Sequence, residues 1–232
     1  MTASPVIGIL GGMGPAATVD FFRRLVEATP AERDQDHLHI LIDNDPSVPD
    51  RSEALLGNGP DPTPTLLTMA ARLETAGAEL LVIPCNTASA FTDAVEAHVG
   101  TPVLRWDTTV VAGVRRFRPD VQRVGVLATT GTVLSGIYRR GFELVGIECV
   151  EPSTASQRKV AEIIIARKAG VAAADLLVPL ASAVDDLLAV GAQEVLIACT
   201  ELSDIAAAGT GMSYLDAMDL VIKRIIELAG RS

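Results

Sequence analysis

Of the three cysteines in this 232-residue chain, two share a context. Cys85 closes Leu80-Leu81-Val82-Ile83-Pro84-Cys85 and runs on into Asn86-Thr87-Ala88. Cys199 closes Val195-Leu196-Ile197-Ala198-Cys199 and runs on into Thr200-Glu201. Two thiols opposed across a cleft suit stereoinversion at an acidic carbon. One thiolate takes the Cα proton from one face, and the other thiol delivers a proton to the opposite face. That chemistry needs one thiol ionised, the other protonated, and the carbanion stabilised electrostatically. N–H groups at a helix start lower a thiol's pKa, and both cysteines precede candidate helix starts. The third, Cys149, has no polar partner motif and reads as a small buried hydrophobe.

The elements that must position the thiols follow from the same stretches. Each apolar run opens after Gly-Ala, at Gly77-Ala78 and at Gly191-Ala192. A short branched apolar run after a helix-ending glycine predicts a buried parallel strand, with the thiol at its carboxyl end, where open α/β sheets bind ligands. Cys199 lies 114 residues after Cys85. At a similar offset of 117, Ile7-Gly8-Ile9-Leu10-Gly11-Gly12-Met13-Gly14 aligns with Val124-Gly125-Val126-Leu127-Ala128-Thr129-Thr130-Gly131. Order and spacing are those of an old internal duplication. The predicted fold is α/β, with two pseudo-symmetric lobes, each a mostly parallel sheet flanked by helices, and an active-site cleft between them. The first lobe is expected over 1–102, joined by a closing helix within 213–232, and the second over 103–212.

Taken in order, strands are predicted at Val6–Leu10, Leu38–Asp43, the Cys85 run, Val103–Arg105, Arg123–Leu127, Glu143–Val150 and the Cys199 run. Helices are predicted from Pro15 to about Ala28, from Pro64 (capped by Thr63) to near Gly77, and over Ala88–His98 and Asp107–Phe117. Further helices follow over Val133–Phe142, Ala155–Ala169, Asp175–Val190, Leu202–Ala208 and Asp216–Leu228. Residues 44–63 carry Pro46, Pro49, Pro60 and Pro62 and read mostly as loop. A loop of that length inside a compact domain is usually functional or mobile.

Composition narrows the function classes. The chain is 49% hydrophobic but only 3% aromatic, which predicts a core of Ala, Val, Leu and Ile. A net charge of −10 argues against nucleic acid and anionic membranes as partners. Three unevenly spaced cysteines do not make a disulfide framework. Without a basic, apolar leader or a membrane-length apolar run, the expectation is a reduced, cytoplasmic protein. Gly12-Met13-Gly14-Pro15-Ala16-Ala17 fits the dinucleotide fingerprint, but Asp43 lies 29 residues past Gly14, beyond the usual gap, so NAD is not expected. His37, His39 and His98 share no ligand spacing with the thiols, so no metal is expected either. A redox pair formed by Cys85 and Cys199 would need them within disulfide distance.

The motifs together carry a resemblance. Gly8-Ile9-Leu10-Gly11-Gly12-Met13-Gly14-Pro15, Pro49-Asp50-Arg51-Ser52, Pro84-Cys85-Asn86-Thr87-Ala88, Thr130-Gly131-Thr132, Lys168 before Gly170, and Cys199-Thr200-Glu201-Leu202 span nearly the whole chain. On them the chain resembles the cofactor-independent aspartate/glutamate racemase family, particularly its aspartate racemase branch. Ser89 stands where many aspartate-racemase-like members carry His. The resemblance implies Cys85 and Cys199 as the acid/base pair, no cofactor, and a homodimer. It also implies that Arg51 and Lys168 hold the substrate's side-chain carboxylate, Arg as a two-point clamp and Lys as a point charge. Asn86, Thr87, Thr130 and Thr200 would take the α-carboxylate and amino group, with Met13, Asp50, Gly131, Thr132 and Glu201 completing the substrate-binding set. The Asp50-Arg51 loop could close over the substrate. The expected activity is racemisation of an acidic amino acid, aspartate first and glutamate second. The alternatives are an isomerase or decarboxylase of the same fold, or a non-catalytic small-molecule binder.

Overall fold

A computed structural model describes residues 4–209 and 213–231. The chain divides into two compact units, Met1–Thr109 with Asp219–Ser232, and Val110–Met218.

The first unit holds β1 (Ile7–Gly11), α1 (Pro15–Ala28), β2 (Ile40–Asn44), α2 (Arg51–Leu55), α3 (Thr63–Thr75), β3 (Leu80–Val82), α4 (Thr92–His98), β4 (Val103–Leu104) and the start of α5 (Trp106–Phe117). Its four strands are all parallel, in the order β2-β1-β3-β4. Every residue of β1 is buried, as expected of a strand covered on both faces. Leu66, Met69 and Leu73 of α3 pack with Leu10, Leu81, Ile83 and Cys85 in one apolar cluster.

The second unit continues through β5 (Arg123–Ala128), α6 (Thr130–Ser135), α7 (Ile137–Leu144), β6 (Glu148–Val150), α8 (Thr154–Lys168), α9 (Leu177–Ala189), β7 (Glu194–Ala198), α10 (Thr200–Ala207), β8 (Leu215–Asp216) and the first turn of α11 (Ala217–Leu228). Its sheet is again parallel, in the order β6-β5-β7-β8. The two sheets therefore repeat one topology, with β5 in the place of β1 and β7 in the place of β3. These are the strand pairs whose sequences align at offsets of 117 and 114. Its apolar cluster gathers Val160, Ile163 and Ile164 of α8, Leu180, Val184 and Leu187 of α9, and Val195 and Ile197 of β7.

Several local expectations are corrected. The 44–63 segment contains α2, because the Asp50 carboxylate accepts the N–H groups of Ser52 and Glu53 at 2.8 and 3.0 Å and caps that short helix. Thr63 is the first helical residue of α3 rather than its cap, and the carboxylate of Asp61 receives the Thr63 N–H. The helix expected over Ala88–His98 is a 3₁₀ turn, Thr87–Phe91, followed by α4. The helix expected over Val133–Phe142 is broken into α6 and α7 at Gly136, whose φ of 65° lies in the left-handed region. Residues 143 and 144 end α7, so β6 is three residues long rather than eight. The second thiol helix begins at Thr200, two residues earlier than expected. Leu220 and Ile225 of α11 are buried, whereas Leu228 is exposed.

Candidate active site

In a sheet ordered 2-1-3-4, the chain leaves the first strand in one direction and later returns on its other side. The first and third strands thus flank the point where open α/β sheets bind ligands at their carboxyl ends. Ile9 pairs with Val82, so Gly11-Gly12-Met13 and Pro84-Cys85 leave neighbouring strands at the same sheet edge. Ala128 pairs with Ala198, so Thr129-Thr130 and Cys199-Thr200 do likewise in the second unit. Each thiol therefore occupies the switch point of its own sheet.

In the first unit Cys85 is buried, its N–H donating to the Ile83 carbonyl at 2.7 Å and its own carbonyl receiving Ala88 N–H at 3.1 Å. Asn86 and Thr87 are buried beside it. The Asn86 Oδ1 accepts from the Trp106 indole N–H at 3.0 Å, which fixes the carboxamide. Arg51 is brought to Met13: its Nη2 reaches the Met13 carbonyl at 3.5 Å, while Nη1 donates to the carbonyls of Val48 and Pro49 at 3.0 and 2.8 Å. The guanidinium is buried, its Nε has no partner, and no carboxylate among the described residues pairs with it. A buried cation without a counter-ion is costly. Asp50, by contrast, is exposed and occupied as the cap of α2.

In the second unit Cys199 is buried at the start of α10. Its Sγ donates to Glu201 Oε2 at 3.1 Å, and Thr200 Oγ1 donates to the same oxygen at 3.1 Å. Burial, then the negative charge of Glu201, push the Cys199 thiol well above its ordinary pKa, and the positive charge of Lys168 opposes them. Lys168, the last residue of α8, is exposed. Thr130 opens α6, where Gly131 and Thr132 are buried. Thr132 N–H donates to Thr129 Oγ1 at 3.1 Å, so Thr129 rather than Thr130 is the helix cap.

The sequence reading missed Gln157. Its amide N–H groups donate to the Ala128 carbonyl at 3.0 Å and to Thr130 Oγ1 at 3.4 Å, tying α8 to the carboxyl end of β5. A lone amide in a helical stretch carries no spacing signal, so only the fold reveals it. Among the described residues no group of three His, Cys, Asp or Glu side chains is placed to hold a metal, and no helix is long and apolar enough to cross a membrane.

With this geometry in place, comparison with known proteins adds the lineage. Residues 10–225 match the family model described as Asp/Glu/Hydantoin racemase. An uncharacterized protein in the pnlA 3'region of Pectobacterium carotovorum subsp. carotovorum is 38% identical over 113 residues, 47% of this chain and 73% of that protein. The broad specificity amino-acid racemase RacX of Bacillus subtilis (strain 168) is 26% identical over 149 residues, 62% of this chain and 63% of that relative's length. Among solved structures, Picrophilus torridus aspartate racemase is similar at a TM-score of 0.82 and 28% identity, covering 98% of this chain and 95% of that one.

Proposed function

This chain belongs to the Asp/Glu/Hydantoin racemase family, and we propose that it interconverts the L and D forms of an acidic amino acid, aspartate first and glutamate second. The proposed mechanism is cofactor-independent, with Cys85 and Cys199 as acid and base on opposite faces of Cα. The observation that carries the substrate class is Arg51, a buried guanidinium with an unpartnered Nε and no carboxylate paired with it among the described residues. A substrate side-chain carboxylate would satisfy it through the planar fork. Lys168 would add a second positive charge, while Asn86, Thr87, Thr130 and Thr200 would hold the α-carboxylate and amino group.

Each turnover then moves two protons. The ionised thiol takes the Cα proton, the electron pair stays on carbon and spreads into the α-carboxylate, and the protonated thiol delivers its proton to the other face. Buried hydrogen-bond donors at the sheet edge stabilise the charge that develops. A site built on two thiols requires a reducing setting, which fits the cytoplasm.

Proton NMR of L-aspartate with the protein in D₂O, with chiral chromatography of the same sample, tests the reading. Loss of the Cα–H signal together with D-aspartate is the expected result. Cys85→Ser and Cys199→Ser should each lower turnover by about 10²–10⁴-fold, the usual worth of a positioned acid or base. Absence of exchange with aspartate and glutamate from folded, reduced protein would overturn the acidic-substrate assignment. The family relative described as broad in specificity makes neutral amino acids the next substrates to assay.

A further inference from the structure

Helix α8 buries Gln157, Val160, Ile163 and Ile164, so an amide stands on an otherwise apolar row. Burying an amide is costly unless both of its ends are hydrogen-bonded. Here only one end is. Nε2 donates to the Ala128 carbonyl at 3.0 Å and to Thr130 Oγ1 at 3.4 Å, whereas Oε1 is buried without a partner. The orientation is forced, because a carbonyl has no proton to give and must face the nitrogen. Thr130 Oγ1 is the acceptor in its bond, so its own proton points away from the amide, and nothing among the described residues receives it. The carboxyl end of β5, where an open sheet binds ligands, thus carries a hydroxyl with a proton to donate. Beside it lies an amide oxygen with a lone pair to offer.

These two groups match, in polarity, the carboxylate and ammonium that every α-amino acid carries on one carbon. We propose that Gln157 is the residue that distinguishes an α-amino acid from its deamino counterpart. Its Oε1 accepts from the α-ammonium. Its Nε2 occupies a lone pair of Thr130 Oγ1 and so turns that hydroxyl's proton toward the α-carboxylate. This rests on the amino-acid reading above and deepens it. A ligand without the amine leaves Oε1 buried and unpaired. Sites built to hydrogen-bond a polar group reject the analogue that lacks it far more strongly than apolar pockets reject an added group. The bond to Ala128 holds the amide in place whether or not a ligand is bound, so the acceptor needs no rearrangement to meet the amine.

Titration calorimetry of the full chain with racemic aspartate and with succinate, which is aspartate without its amine, tests this. The racemate keeps turnover from changing the ligand during the titration. Wild-type protein should bind aspartate more tightly than succinate. Gln157→Leu keeps the bulk and removes both polar ends. Its affinity for aspartate should fall by about 10–100-fold, the worth of one hydrogen bond to a charged group, and its affinity for succinate far less. Gln157→Glu keeps an oxygen for the ammonium and should keep the preference for aspartate. If Gln157→Leu does not fold, the unbranched Gln157→Met takes its place. A loss of the same size for both ligands would mean that Gln157 only ties α8 to β5, and would overturn the proposal, as would an unchanged affinity for aspartate. If wild-type protein binds neither ligand, the acidic-substrate reading fails by itself. Alanine against propionate then puts the same question to Gln157, because the contact is to the amine and not to the substrate's side chain. A wild-type protein that binds each amino acid no better than its deamino counterpart would overturn the proposal outright.

Discussion

The Thr18 hydroxyl accepts the Gly12 N–H at 2.9 Å and donates to the Gly14 carbonyl at 3.3 Å, so one side chain of α1 closes the turn that ends β1. That turn carries Met13, whose carbonyl in turn receives Arg51. Thr18→Val keeps the shape but strands a buried N–H, which costs about 1–3 kcal/mol. Urea unfolding should show that loss, with Thr18→Ser recovering most of it. Gly12→Ala should cost more. The residue has a φ of 95°, and an added Cβ would lie 2.2 Å from the Asp45 carbonyl oxygen.

Arg51 predicts a substrate-dependent phenotype. Arg51→Lys keeps the charge but has no planar fork to serve the Val48 and Pro49 carbonyls and a substrate carboxylate together. KM for aspartate should rise by about ten- to a hundredfold, the worth of one charge-assisted hydrogen bond. A neutral amino acid, if turned over at all, should be far less affected. An equal effect on both substrates would show that Arg51 only braces the loop.

How much of this was legible in the sequence depends on the range of the signal. The runs ending in Cys85 and Cys199 announced themselves, because buried parallel strands are contiguous apolar segments with glycine at their entrances. Their partners Ile7–Gly11 and Arg123–Ala128 followed from the repeat. The two-residue strand Leu215–Asp216 was invisible, since two residues make no period. Helix α2 owes its existence to the Asp50 cap, and the break at Gly136 to one backbone angle, neither of which hydrophobic periodicity records. At the site, residue types pointed to the thiols, and only the family resemblance pointed to Arg51. The contacts Gln157–Thr130, Trp106–Asn86 and Cys199–Glu201 depend on which side chains the fold brings together.

Asp216 supplies a stability prediction within the second unit. Its Oδ1 accepts the Ser203 hydroxyl at 2.9 Å and the Met218 N–H at 2.8 Å, and both acceptor and donors are buried. The carboxylate thus pins β8 and the start of α11 to α10, the helix that carries Cys199 at its cap. Asp216→Ala strands the Met218 N–H, while the Ser203 hydroxyl keeps its 3.3 Å bond to the Cys199 carbonyl, and should cost about 1–3 kcal/mol. Ser203→Ala removes one of the two bonds and should cost about 1 kcal/mol. Thermal unfolding of the two variants measures both.

Alkaline pH should expose the burial of the remaining cysteine. Burial, reinforced by the charge of Glu151 and opposed by that of Arg139, pushes the Cys149 thiol up to about 12. An unfolded thiol titrates near 8.5, so between roughly pH 8.5 and 12 the unfolded chain has lost a proton that the folded chain still holds. The unfolded state then binds fewer protons, and stability falls as pH rises through that window, having been fully present below it. Because Cys149 is only partly buried, the expected contribution by pH 10 is about 1 kcal/mol rather than the full ~2 kcal/mol that 1.5 pH units would give. Cys149→Ala removes this dependence, so the gap between wild type and variant in urea unfolding should narrow from pH 8 to pH 10. A gap that stays constant over that range would mean that the thiol ionises in the folded protein as readily as in the unfolded chain.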